Sequence, residues 1–450
     1  MEQESSRLKL SRYVVTSDAL ADKTNGTVRR ALFGTRLGVT LLVSESTWRT
    51  LTTGQFQILP TEMLERLVSA EILVPAGEDE LATVIQQNKA AIQSPTELYQ
   101  VIQPTAWCQL GCGYCGQEHS VRFLSSTDQQ LLIERIRLRL ASGRYSRLRI
   151  GWFGAEPLVG LRVMRAMSPL LQGAAEAGGC TYVAKIVTNG VLLTETTAVE
   201  LVERHKVESA EVTLDGLAEH HDGRRFTKAG KPTFAQIFEN LCAVAALPNL
   251  PLRLIVRCNV DRFNVEGVSP LMRLLANRGL QRRISFYVAP IHSWGNDADE
   301  LAMSPEEFGS REIEWLAELL NLGFEAVLLP TRKPVVCMAV QRDAELVDAS
   351  GDVFNCTEVS QVPAYGSPNV YAIGRVGVGP RSESRLSMFN DEVLKGAYGC
   401  PTCPMLPVCG GGCPKQWHEG RVPCPSAKFN APERLALLYA VSRGRADKWS

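Results

Sequence analysis

The sequence predicts an α/β protein with a parallel central sheet at residues 96–330. We expect a small α+β domain before it, at residues 1–95, and a cysteine-rich domain after it, at residues 331–435. The central prediction rests on short apolar segments that alternate with helical patterns, as in sheets with helices packed outside. The C-terminal prediction rests on a stretch rich in Cys, Gly and Pro with few periodic segments. Such a stretch buries little apolar surface and needs metal to fold.

The first 95 residues have the pattern of a small mixed domain. Apolar runs at residues 13–15, 37–43 and 72–74 are typical of strands. Ser44 is a suitable N-cap for a first helix, and Pro60 and Thr61 open a second one. The more polar residues 76–100 are expected to carry one further helix.

The central part contains seven predicted strands, at residues 98–105, 148–153, 182–188, 209–214, 252–260, 284–290 and 326–329. Helical patterns separate most of them, at residues 128–141, 159–177, 195–205, 234–246 and 305–320. Right-handed crossovers between parallel strands would curl this sheet towards a barrel. Ligands then bind at the carboxyl ends of the strands.

Charge and hydropathy argue against nucleic-acid and membrane partners. Lys+Arg and Asp+Glu both number 48, so the formal net charge is zero and gives no reason to expect binding to nucleic acid or anionic lipid. The first 13 residues lack the apolar core of a signal peptide. No apolar run approaches the roughly 18 residues of a membrane span. We therefore expect a cytoplasmic protein that binds neither nucleic acid nor a membrane.

The first group of cysteines lies on a loop directly after the first central strand. Cys108, Cys112 and Cys115 have the spacing C-x3-C-x2-C. Three thiolates on one loop can hold three irons of a four-iron cluster. The fourth iron then keeps an open position, as a catalytic metal requires. The alternative is a zinc knuckle completed by His119.

The second group contains seven cysteines, at Cys337, Cys356, Cys400, Cys403, Cys409, Cys413 and Cys424. Clustered cysteines in a reducing compartment bind metal more often than they form disulfides. Taken alone, the spacing is typical both of iron–sulfur clusters and of a pair of zinc ribbons. Cys180, Cys242 and Cys258 stand apart, and we expect them to be core thiols without special chemistry.

The loop from Cys108 to Cys115, with Tyr114 before the third cysteine, resembles the defining motif of the radical S-adenosylmethionine (SAM) superfamily. Gly154-Ala155-Glu156-Pro157, after the second strand, resembles the family's Gly-Gly-Glu-Pro segment. The resemblance implies a partial (β/α)6-type barrel in which SAM chelates the open iron. It also implies that the backbone of this segment holds the SAM amino group. Ala155 stands where the family has a Gly. Ala is the smallest substitute and fits at this position if its φ is negative.

Four strand-end residues resemble positions that line the SAM and substrate cavity in this family, namely Asn189, Asp215, Arg257 and Asn259. Their order along the chain and their placement at strand ends carry this resemblance. With Tyr114 and the Gly154–Pro157 segment they form the expected SAM-contacting set. The pattern identifies no general acid or base, for which the candidates are Tyr287, His292, Asp215, His220 and Asp222.

The C-terminal cysteines resemble the seven-cysteine extension called the SPASM domain. The resemblance implies two auxiliary [4Fe–4S] clusters, and therefore three clusters in all. By the family's topology, Cys337, Cys356 and Cys413 serve the first auxiliary cluster, and the second is served by Cys400, Cys403, Cys409 and Cys424. The first auxiliary cluster then lacks a fourth cysteine within the motif. It is either open to substrate or closed by another residue.

The resemblance implies an enzyme, an oxidoreductase that cleaves SAM reductively to a 5′-deoxyadenosyl radical. Because SPASM proteins mostly modify peptides, we expect a maturase that forms a carbon–carbon or thioether crosslink, or a related modification, in a ribosomally made precursor peptide. Residues 1–95 would recognise the leader peptide, and a flavodoxin- or ferredoxin-type protein would donate low-potential electrons. The alternatives are an enzyme like the anaerobic sulfatase maturases and a non-enzymatic iron–sulfur or zinc-binding protein.

Overall fold

The computed structural model describes residues 8–21, 26–293, 296–379, 381–396 and 398–446. The first seven residues and residues 22–25 of the predicted N-terminal domain lie outside the described residues. The strands of the described chain are β1 Leu8–Leu10, β2 Val14–Thr16, β3 Leu20–Ala21, β4 Val28–Gly34, β5 Val39–Ser44, β6 Leu73–Pro75, β7 Glu97–Ile102, β8 Arg147–Trp152, β9 Thr181–Thr188, β10 Val207–Thr213, β11 Arg253–Val260, β12 Ile284–Pro290, β13 Glu345–Val347, β14 Asp352–Phe354 and β15 Gly374–Arg375.

The helices of the described chain are α1 Glu45–Thr53, α2 Thr61–Ser69, α3 Glu80–Gln93, α4 Ser126–Leu140, α5 Leu161–Ala177, α6 Glu195–Glu203, α7 Ala218–His221, α8 Phe234–Ala246, α9 Val268–Asn277, α10 Pro305–Asn321, α11 Phe389–Lys395, α12 Leu406–Cys409, α13 Pro414–His418 and α14 Ala427–Ala446. None of them combines the length and the apolarity that a membrane-crossing helix needs.

A nine-stranded sheet organises the molecule, in the order β12-β11-β10-β9-β8-β7-β13-β14-β15. The strands from β7 to β12 are parallel neighbours in sequence order. One face of these strands packs with the intervening helices into the largest apolar core. Because successive side chains of a strand point to opposite faces, the other face carries the more polar residues. The carboxyl ends of all six parallel strands therefore meet at one edge of the sheet.

Six of the seven predicted central strands are confirmed, and the α/β fold with them. The seventh prediction, at residues 326–329, is wrong, since this segment forms no strand. Its Leu328 carbonyl instead accepts a hydrogen bond from Arg434 Nη1 at 3.0 Å, a side-chain partner in place of a ladder. The sheet does not close in the described chain, where β12 and β15 are its two ends, and the partial barrel stays a prediction.

The cysteine-rich segment begins as an extension of the central sheet. β13 pairs in parallel with β7, and β14 and β15 follow in antiparallel register. Glu345 of β13 is fully buried and receives bonds from Arg135 at 2.8 Å and Arg139 at 2.5 Å, both on α4. A buried carboxylate paired in this way fixes the position of β13 against the central helices.

The N-terminal residues form a small antiparallel sheet around β4, with β2 and β3 on one side and β5 on the other. The predicted helices are confirmed, and Ser44 caps α1 by accepting a bond from the Thr47 N–H at 3.0 Å. β4 was not predicted because two of its first three residues are the charged Arg29 and Arg30, and these first residues are exposed or half-buried. Its Phe33 packs in one apolar cluster with Met405 and other residues of the cysteine-rich segment.

Candidate functional site

A cavity lies at the carboxyl ends of the parallel strands, where the sequence predicted ligand binding. Its empty volume is about 1070 Å³, including the space at its mouth. Of the predicted residues, it is lined by Cys108, Cys112, Tyr114, Cys115, Gly154, Ala155, Asn189, Arg257 and Asn259. The loop after β7 thus meets the ends of β8, β9 and β11 in a single space.

The three cysteines of the first group line this cavity as free thiols. The Leu110 N–H points at Cys108 Sγ at 3.4 Å, and Asn189 Nδ2 lies 3.6 Å from the same sulfur. Burial raises the pKa of Cys108 to about 12. It also raises the pKa of Cys112 to about 11, against the opposing charge of the Arg225 guanidinium. The uncharged thiols therefore ionise only when a positively charged metal compensates them.

The surroundings of these thiols fit an iron–sulfur cluster. The Arg225 side chain lines the cavity, is almost fully buried, and leaves its Nε without a hydrogen-bond partner. Such a buried cation suits an anionic group held by three thiolates. Among the described residues, no three His, Cys, Asp or Glu side chains converge closely enough to bind a single metal ion. His119 lines the same cavity, where burial lowers its pKa to about 4.

Tyr114 is fixed by three hydrogen bonds at its hydroxyl. It donates to Asp215 Oδ2 at 2.7 Å and accepts from Arg225 Nη1 at 2.7 Å and from Asn259 Nδ2 at 3.1 Å. Asp215 also accepts from the Asn259 N–H at 2.9 Å and is fully buried. The structure therefore places Asp215 behind the cavity wall. In this structure Asp215 contacts Tyr114 and the end of β11, and its expected contact with SAM stays a prediction.

Glu156 and Pro157 likewise lie behind the wall, while Gly154 and Ala155 line the cavity. The Glu156 carboxylate accepts from Leu158 N at 2.9 Å, Thr188 Oγ1 at 2.7 Å and Asn189 N at 2.7 Å. Burial raises the pKa of Glu156. The carboxylate thus ties the turn after β8 to the end of β9, and the contact of this segment's backbone with SAM stays a prediction.

Ala155 adopts a positive φ of 47°, so the negative φ that would make Ala a ready substitute for Gly is not present. Its N–H donates to Gln117 Oε1 at 3.2 Å, and the Glu156 N–H donates to the Trp107 carbonyl at 3.2 Å. These two bonds hold the turn against the cysteine loop, in a conformation that costs a non-glycine residue about 1–2 kcal/mol. The turn therefore has a backbone conformation typical of glycine, although the residue is alanine.

Four cysteines of the second group surround one small pocket of about 310 Å³, namely Cys400, Cys403, Cys409 and Cys424. They are the four that the family topology assigns to one cluster. Lys428 Nζ lies 3.4 Å from Cys424 Sγ, and the Gly411 N–H points at Cys409 Sγ at 3.3 Å. Burial, followed by the charges of neighbouring cysteines, raises the pKa of Cys400 to about 12. Lys428 lies four residues after Cys424 in the sequence and was not predicted.

The remaining cysteines, Cys337, Cys356 and Cys413, influence one another's ionisation. Burial raises the pKa of Cys356 well above its ordinary value, and the nearby charges of Glu358, Cys337 and Cys413 add to the effect. Glu358 also lines the main cavity. Cys356, two residues before Glu358, therefore lies close to the cavity that the first group of cysteines lines.

Comparison with known proteins shows what this chain is similar to. No family model matches it. A serine-type anaerobic sulfatase-maturating enzyme of Bacteroides thetaiotaomicron is 24% identical over 359 residues, covering 71% of this chain and 83% of that protein. The structure of native anSMEcpe with bound AdoMet matches with a TM-score of 0.53 at 16% identity, over 78% of this chain and 100% of that one. The same enzyme with AdoMet and Cp18Cys peptide gives 0.55 at 16% identity, over 79% and 100%.

In sequence and in fold the chain is therefore similar to radical SAM maturases. The predicted resemblance is therefore confirmed, as is the prediction that the chain is an enzyme. The cysteine-rich C-terminal part fits iron–sulfur binding.

Gln117, Glu211 and Glu358 also line the cavity at the strand ends, but the sequence did not point to them. Gln117 follows Cys115 by two residues, and Glu358 follows Cys356 by two, so proximity to a ligand cysteine is the signal that marks both. Glu211 lies inside β10, and its inward direction becomes visible only when the register of the sheet is known.

Proposed function

We propose that this chain is a radical SAM/SPASM peptide maturase. The observation that carries the proposal is the convergence of Cys108, Cys112 and Cys115 with the Gly154–Ala155 turn in one cavity at the strand ends. A bound [4Fe–4S] cluster would supply the electron that cleaves SAM to a 5′-deoxyadenosyl radical, and this radical removes hydrogen from the peptide.

The chain's own residues hold and shield this chemistry. Cys108, Cys112 and Cys115 are the proposed cluster ligands, and Arg225 provides a buried positive charge beside them. Gly154 and Ala155, with Asn189, Arg257 and Asn259, are the proposed SAM contacts. The carboxyl-end cavity restricts water and fixes the distance between reacting atoms, which is the main protein contribution to such reactions.

Two auxiliary clusters complete the proposed cofactor set. Cys400, Cys403, Cys409 and Cys424 surround a pocket of their own, which supports their assignment to one cluster. Cys337, Cys356 and Cys413 would hold the other. With the SAM cluster this makes three, fed by a flavodoxin- or ferredoxin-type donor.

The N-terminal sheet is the proposed site for the leader peptide. Within the described chain, β5 pairs on one side only, with β4. A free strand edge of this kind binds an extended peptide through main-chain hydrogen bonds. Val39, Thr40 and Leu41, along this edge, are exposed or half-buried, so an added strand would cover apolar surface.

A sulfatase-maturase-like activity is the second candidate. It is favoured by the 24% identical relative, whose substrate is a sulfatase rather than a short precursor peptide. Both candidates begin with the same SAM cleavage and take a peptide segment into the cavity. They differ in the bond that is formed, a crosslink in the first case and an oxidised side chain in the second.

The test is anaerobic purification and reconstitution, followed by metal analysis and dithionite-driven release of 5′-deoxyadenosine. We expect about twelve irons per chain, four for each of three clusters. The Cys108/Cys112/Cys115→Ala variant should lose about four irons and all 5′-deoxyadenosine, whereas Cys242→Ala, which removes a thiol outside both groups, should retain both. Zinc in place of iron, with no 5′-deoxyadenosine, would refute the proposal.

A further inference from the structure

A second pocket opens on the polar face of the main sheet and is lined by residues of the five strands from β7 to β11. Its empty volume is about 1040 Å³. It shares Val187 and Glu211 with the cavity at the strand ends, so the two spaces meet at β9 and β10. Its opposite wall includes Cys337, a thiol of the cysteine-rich segment. The pocket therefore lies between the two sets of cysteines that flank the sheet.

A lining residue shared with a surface groove marks a route from this pocket towards the surface. Arg253 borders the pocket and also borders a groove of about 2000 Å³ between α10 and α14. A molecule entering along this groove would pass Arg253, then the sheet face, and then Glu211 before it reaches the thiols of Cys108 to Cys115. An extended chain can follow such a path, because it needs only a continuous opening and not a single wide chamber.

Positively charged side chains outnumber negatively charged ones in the lining of this pocket. Arg149 Nε pairs with Glu97 Oε1 at 2.9 Å, and Glu211 Oε1 faces Arg257 Nη1 at 3.8 Å. Lys185 Nζ lies over the Tyr99 ring, 5.0 Å from its centre. Within the described chain, no carboxylate lies within 4.0 Å of the Lys185 ammonium or of the Arg253 guanidinium.

Two cations thus remain without a carboxylate, and both face the path. A half-buried ammonium on an aromatic ring is partly desolvated, which strengthens its attraction for an anion. The groups that supply an anion on a peptide are the side chains of Asp and Glu and the terminal carboxylate.

We propose that this pocket receives the substrate peptide, and that Lys185 and Arg253 select a peptide with a carboxylate close to the residue that is modified. The inference rests on the proposed peptide-maturase function and names the chemistry of its substrate. It assigns the selection to the sheet face, away from the residues proposed to hold SAM.

The test uses two fluorescein-labelled heptapeptides, Gly-Ala-Glu-Ala-Glu-Ala-Gly and the same peptide with Gln in place of Glu. Binding to the anaerobically reconstituted protein is followed by fluorescence anisotropy at low salt, where screening is weak. We expect the Glu peptide to bind about ten-fold more tightly than the Gln peptide. Lys185→Gln and Arg253→Gln should each remove most of this preference, and Lys185→Glu should reverse it.

Lys231→Gln is the matched control, since Lys231 is an exposed lysine outside the pocket. Equal binding of the two peptides by the unmodified protein, or an equal loss of preference in Lys231→Gln, would overturn the inference. Dithionite-driven 5′-deoxyadenosine release is measured on the same samples. Release of 5′-deoxyadenosine without a preference for the Glu peptide refutes peptide selection by this pocket and leaves the radical SAM function unaffected. Absence of release refutes the radical SAM function itself.

Discussion

Replacing Tyr114 by Phe tests whether the cysteine loop is held by the network behind it. The substitution removes one hydroxyl and three hydrogen bonds, those with Asp215, Arg225 and Asn259. All three partners are buried, with exposed fractions of 0%, 6% and 8%, so water replaces the hydroxyl poorly. Bonds to charged partners contribute about 1.5–3 kcal/mol and neutral ones about 1 kcal/mol. Because coupled bonds are not additive, we expect a loss of about 3–5 kcal/mol.

The control for this experiment is Tyr145→Phe. The Tyr145 hydroxyl makes one bond, to Asp343 at 2.6 Å, and Asp343 keeps a partner in Arg144 at 3.2 Å. Because this one bond goes to a charged partner, we expect the change to cost about 1.5–3 kcal/mol, less than the loss of three bonds in Tyr114→Phe. Both variants are compared with the unmodified chain by thermal unfolding followed by circular dichroism, and by iron content after reconstitution. If Tyr114→Phe is no less stable than Tyr145→Phe and retains the same iron, the network does not support the loop.

Three further predictions concern other buried or charged groups. Glu156→Gln replaces an acceptor of three bonds by a group that presents an N–H to one donor, so it should cost about 2–4 kcal/mol in urea unfolding. Burial raises the pKa of Asp348 from 3.8 to about 6, so its contribution to stability is lost as the pH rises through that range. Asp348→Asn should therefore be more stable than the unmodified chain above pH 6, by up to about 3 kcal/mol, with the advantage vanishing near pH 4. Lys428→Met removes the ammonium beside Cys424, and electron paramagnetic resonance titration should show that cluster about ten-fold harder to reduce, or about 59 mV lower.

Local patterns predicted much of the fold because most elements obey them. The six parallel strands β7 to β12 are apolar runs between helices, and Ser44 caps α1 as its residue type suggests. The segment at residues 326–329 misled because an apolar run carries no information about its partner. The Leu328 carbonyl binds an arginine from α14, more than 100 residues away. Sheet closure also depends on strands distant in sequence, and the ends of this sheet are occupied by β12 and β15.

The candidate site, like the fold, was only partly predictable from the sequence. The spacing of the cysteines was readable, since neighbouring ligands on one loop need no tertiary information. The depth of each side chain was not readable. Asp215 and Glu156 lie at strand ends just as Asn259 and Ala155 do, yet the first pair lies behind the wall and the second pair in it. The two pairs differ in burial, since Asp215 and Glu156 are fully buried whereas Asn259 and Ala155 reach the cavity.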